Sequence, residues 1–215
     1  YDGTITITPE KISEKKSINN FLLNLDDYNQ KISQVLYAVY YFGAENITIY
    51  SNEEINPEIR SMIKESLTYM SGTEIDFEDK KSIKLSVLLD KSKVNVNNVL
   101  SRMFLIIHSS TQNCLGKIDL NEIDRNELEV DRLFHLASKI IFISSTNANV
   151  LKSSGIANSS LIVSYLIIAK KLENIADEIE VLAKKMHSQK NMQKEIRELL
   201  TQVKKFIDSY SSFYL

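Results

Sequence analysis

The sequence predicts an α+β domain followed by an all-α antiparallel helical bundle. Two observations carry that reading. Over the first ninety or so residues, short alternating runs interleave with amphipathic stretches bounded by Gly or Pro; from about Lys91 onward almost everything has a helical period. The longest periodic stretch, Asn158 to Gln189, then organises the second half.

Thr4 to Thr8 alternates as TITIT and reads as a strand closed by Pro9; Lys11 to Asn20 reads as loop or a short helix. Asp26 and Asp27 are candidate caps for a helix bearing Ile32, Val35, Leu36, Val39 and Tyr40, with Gly43 as its stop. Asn46 to Tyr50 is a second alternating strand. Pro57 opens a helix through Ile59, Met62, Ile63, Leu67 and Met70, ended by Gly72. Thr73 to Phe77 and Ser82 to Leu88 form two strands around the charged turn Glu78–Lys81. The order β-α-β-α-β-β suggests a ferredoxin-like arrangement over residues 1–92.

Residues 93–215 form the expected bundle. Val96 to about Leu115 carries Val99, Met103, Ile106 and Ile107, and the turn Gly116–Leu120 follows. Asn121 to about Val150 carries Ile123, Val130, Leu133, Ala137, Ile140 and Ser144. Beyond Gly155, the long stretch sets Tyr165, Ile168, Leu172, Ile175, Ile179, Leu182 and Met186 on one stripe. Ala169, Ala176 and Ala183 lie beside it and allow close helix approach. Asn191 to Leu215 is the last helix. Short turns between long helices make neighbours antiparallel.

With 43% hydrophobic and 25% charged residues the chain has the composition of a globular protein, and its formal net charge of −2 argues against a bulk electrostatic grip on nucleic acid. The single cysteine, Cys114, excludes an internal disulfide. No apolar run reaches transmembrane length, and a cytoplasmic location is the expectation.

Carboxylates carry the functional signal. Asp124, Glu127 and Asp131 stand at i, i+3 and i+7 on one bundle helix; Glu173, Asp177 and Glu180 stand at i, i+4 and i+7 on the next long one. Each set occupies a narrow face, and like charges so placed repel unless a cation sits between them. If the faces adjoin, four to six oxygens converge, as hard or borderline cations require. Solvated acidic faces are also common, and Lys170 and Lys184 are placed to neutralise Glu173 and Glu180. Spacing alone leaves both readings open.

Nothing else competes. His108, His135 and His187 share no metal spacing, although His135 lies one turn beyond Asp131. Cys114 has no partner histidine in view and reads as a core residue. Tyr37, Tyr40, Tyr41 and Phe42 are explained by a helix with two faces against a sheet. There is no phosphate loop, nucleophile elbow or dinucleotide fingerprint. No catalytic or cofactor-binding residue is assigned, and a non-enzyme is expected.

The paired stretches ELEVDRLFHLA and KKLENIADEIEVLAKK, at this separation, resemble the PhoU family of helical phosphate-uptake regulators, over about Lys93 to Gln189. LENIAD resembles the family's Leu-Glu-Arg-Ile-Gly/Ala-Asp-His, with Asn174 in place of the arginine and Glu178 in place of the histidine. The resemblance implies metal ligation by Glu127, Asp131, Glu173 and Asp177, to which the spacing adds Asp124 and Glu180. The implied cofactor is a divalent or trivalent ion: iron, zinc or magnesium. The implied partners are a phosphate transporter complex or sensor kinase. One repeat carries both motifs where the family usually has two, so a homodimer is expected. AVYYFGAENITIYS and the Pro-Glu-Ile-Arg helix resemble the middle region of archaeal PhoU-like proteins, which an AbrB-type DNA-binding domain often precedes. No such domain occurs in this sequence, and no direct nucleic-acid binding by it is expected. The alternative is the sensing or dimerisation part of a transcriptional regulator whose DNA-binding module lies elsewhere.

Overall fold

The computed structural model describes residues 19–188 and 193–214. Its elements are β1 (Asn20–Asn24), α1 (Leu25–Tyr28), a 3-10 turn (Asn29–Lys31), α2 (Ile32–Tyr41), β2 (Asn46–Tyr50), α3 (Pro57–Tyr69), β3 (Thr73–Glu78) and β4 (Ser82–Val87). A 3-10 turn (Lys91–Lys93) leads into α4 (Val96–Leu115), α5 (Leu120–Ser144), α6 (Ala148–Ser153), a third 3-10 turn (Ser159–Leu161), α7 (Ile162–Ser188) and α8 (Gln193–Tyr214).

The four strands make one mixed sheet in the order β1-β2-β4-β3, with β1 and β2 parallel and the other pairs antiparallel. Alternation sends Leu23, Ile47, Ile49, Ile83, Leu85 and Val87 to one face. There they bury under Ile32, Leu36, Val39 and Tyr40 of α2 and Ile63 of α3. The α+β class and element order stand, with two refinements. The parallel strands are direct neighbours, so the βα-β unit is not split by a third strand as in a ferredoxin-like sheet. Thr4–Thr8 lies outside the described residues, and the first described strand is Asn20–Asn24. Its sequence NFLLN has no clean alternation and becomes a strand by pairing with β2.

Side chains at the helix starts fix most boundaries. Asn56, Asn95, Asp119 and Asn147 accept hydrogen bonds from the amides of Glu58, Asn98, Glu122 and Val150. Asp26 does not cap α2. Its carboxylate takes hydrogen bonds from Ser51 Oγ and Asn52 Nδ2 at the end of β2, and α2 begins five residues after Asp27 with no side-chain cap. The helix expected over Asn121–Val150 breaks at Ser145–Asn147. There the hydroxyls of Ser145 and Thr146 return to the carbonyls of Phe142 and Ile143, while Asn147 restarts the chain as α6.

Helices α4, α5 and α7 each pack on the other two, and α8 lies chiefly on α4. Ala169, Ala176 and Ala183 are buried along with Leu172, Ile179 and Met186, whereas Ile168 and Ile175 remain about two-fifths exposed. The contact stripe of α7 is therefore centred closer to the alanines than its bulky residues suggest. Small side chains let the helices approach, and the turn of α7 brings its acidic face toward α5. Among the described residues no helix is long and apolar enough to cross a membrane.

An adjoining side of α5 meets the α+β domain. Tyr41 Oη lies 2.6 Å from His135 Nδ1, and Arg132 donates to Ser71 Oγ at 2.7 Å. Tyr40 Oη donates to the Ser71 carbonyl at 3.0 Å. Tyr40 faces the sheet core as expected, but Tyr37 and Tyr41 face His135 of α5 rather than the sheet, and Phe42 is exposed.

Candidate metal centre

Asp119 caps α5, and the helix then presents Asp124, Glu127 and Asp131 on successive turns toward α7. Helix α7 answers with Glu173, Asp177 and Glu180. One oxygen each from Glu127, Asp131 and Asp177 lies within 4.8 Å of the others. Oxygens sharing a cation at ~2.0–2.6 Å lie no more than ~5 Å apart, so the trio has the spacing of a ligand set. It is made of oxygens alone, which suits a hard or borderline cation.

Three observations describe the charge in this group. Burial, then Asp131, Glu180 and Asp177, push the Glu127 carboxyl up to about 7. Burial, then Asp177 and Glu173, push Asp131 up to about 6, against the opposing charge of Lys170. Asp177 is raised too, by burial first and Glu173 next. Asp131 Oδ1 is buried and accepts no hydrogen bond. A carboxylate oxygen without a donor is costly unless a cation or proton meets it.

The remaining carboxylates are held by lysines. Both oxygens of Glu173 contact Lys170 Nζ at 2.5 Å. Lys184 Nζ is 2.6 Å from Glu180 and 3.5 Å from Asp124. The six expected ligands thus divide into a central trio and two lysine-paired flanks. A cation entering the trio would draw on Glu173, Asp124 or Glu180 only by displacing a lysine.

His135, one turn past Asp131, is packed among Tyr37, Tyr41, Tyr69 and Phe134, with ring centroids 4.2 to 5.8 Å away. Burial lowers it to about 4, which keeps the imidazole neutral. Cys114 is buried, and desolvation pushes its thiol up to about 11, as for a core residue. One buried group escaped the sequence reading: Lys139, fully buried on the side of α5 that meets α2. The signal was present, since it is the sole charge in the run LASKIIFIS.

A protein-family model described as the PhoU domain matches residues 97–186, and no curated protein or solved structure matches the chain. The matched span contains both acidic helix faces, every carboxylate of the trio and both flanking lysines. By that match residues 97–186, which run through the helices from α4 to α7, are a PhoU domain.

Proposed function

We propose that this protein is a non-enzymatic, cytoplasmic regulator of phosphate uptake or phosphate signalling that holds a metal ion between α5 and α7. Glu127, Asp131 and Asp177 are its ligands, and iron, zinc or magnesium its candidate ions. The observation that carries the metal reading is the convergence of three carboxylate oxygens within 4.8 Å, one helix supplying two and its neighbour the third. The PhoU-domain match over residues 97–186 supports the regulatory role.

A bound cation would offset the mutual repulsion of the trio and tie α5 to α7 in one register. The surface offered to a phosphate transporter complex or sensor kinase would then depend on metal occupancy. A homodimer is the proposed assembly, and Val163 and Ile167, exposed on the outer side of α7, give it an apolar surface. Sedimentation velocity should show a dimer; a strict monomer at micromolar concentration would remove that part. For the site itself, purified protein is loaded with Fe, Zn or Mg and its metal content measured against Asp131→Asn/Asp177→Asn. The wild type should retain one of these ions and the double variant should lose it. Equal content in both would mean that the metal sits elsewhere.

A further inference from the structure

Lys139 belongs to neither acidic face and has no part in the metal reading. It is fully buried, and its Nζ has no hydrogen-bond acceptor among the described residues. The ammonium position lies 3.8 Å from the ring centroid of Tyr40, which is itself fully buried in the core of the α+β domain. A lysine of the bundle thus inserts its end into the seam between the two halves of the molecule. A ring face stabilises a desolvated cation by only ~2 kcal/mol, well short of what water provides.

We propose that Lys139 makes the seam between the α+β domain and the bundle responsive to pH, the seam tightening as the amine loses its proton. The surroundings isolate this group. From α2, Tyr40 faces it with Tyr41 beside that ring, and burial raises both phenols well above their ordinary value, so they stay protonated. From the loop after α2 comes Glu45, held at 3.0 Å by Lys91, which also donates to the Gly43 carbonyl. On α5 itself, Arg132 is paired with Glu129 at 2.7 Å and His135 stays neutral.

The sign follows from the geometry. Burial first, and then the charge of Lys91, lower Lys139 from 10.5 to about 7 in the closed seam. Once exposed, the amine returns toward its ordinary value. Between those two values the open form binds more protons, so closure strengthens as pH rises from about 7 and is insensitive to this group below it. The trio of carboxylates contributes in the opposite sense and below pH 7, and it is common to wild type and a Lys139 variant.

Two measurements on the full chain decide the matter. In protein labelled with 13Cε-lysine, one resonance should titrate near pH 7 and be missing from the spectrum of Lys139→Met. Amide exchange in α2 and in the facing part of α5, taken as a wild-type to Lys139→Met ratio, should fall roughly fifty-fold between pH 7 and 9. No lysine resonance moving between pH 6 and 8.5 overturns the proposal, and the wild-type titration gives that answer even if Lys139→Met fails to fold. A flat exchange ratio, or one that changes equally in α8, overturns it too.

Discussion

Asp131 is the residue on which the site turns. It stands between Glu127 on its own helix and Asp177 on the next, with one buried oxygen lacking a donor. Asp131→Asn should therefore weaken metal binding by at least ~10-fold while leaving the chelator-treated protein as stable as wild type or slightly more so, because a like charge is gone. Isothermal titration and a thermal melt in chelator read the two effects separately. Cys114→Ser should do the reverse. A hydroxyl in that apolar site costs about 1–2 kcal/mol in denaturant unfolding, while metal content stays unchanged. Lys139 was not anticipated because periodicity counts a lysine as a surface residue, and only contact with α2 shows where this one ends.

At the scale of the element, the acidic faces of α5 and α7 were legible because a helical wheel fixes which side chains share a face. Which carboxylates meet was not, since it depends on the rotation of α7. The alanines, which weigh little in a hydrophobic pattern, centre the contact on themselves and leave Ile168 and Ile175 partly exposed. Strand β1 was missed because its five residues acquire their conformation from β2 rather than from their own alternation. The break after α5 comes from local side-chain bonds of Ser145, Thr146 and Asn147, which an apolar period does not register. The joint between α6 and α7 is more constrained: Gly155 has φ +82°, and a Cβ there would meet Asn95 at 2.7 Å and Asn97 at 2.9 Å. Gly155→Ala should cost about 2 kcal/mol, measured as a lowered denaturant midpoint with unchanged slope. The pair α5–α7 also has a pH signature. Glu127 and Asp131 are raised in the folded protein, so their contribution is present below about pH 4 and is lost as pH rises through 6 to 7. Chelator-treated protein should melt at a lower temperature at pH 7.5 than at pH 5, and added metal should reverse the order.

For the whole molecule, α5 is the shared member. One face carries Glu127 and Asp131 toward α7, and the adjoining side carries His135, Lys139 and Arg132 toward α2 and the turn after α3. A change in the α5–α7 register therefore reaches the α+β domain through a single rigid element, without any loop having to transmit it. The proposed metal-dependent regulation would act through that element, and it requires a cation that both helices grip. The most direct test is the metal content of the purified full chain together with its thermal midpoint before and after chelation, repeated for Asp131→Asn/Asp177→Asn. The account predicts bound metal and a midpoint that drops by several degrees on chelation in the wild type, and neither in the double variant. A wild-type protein that takes up no iron, zinc or magnesium and melts identically with and without chelator would contradict it.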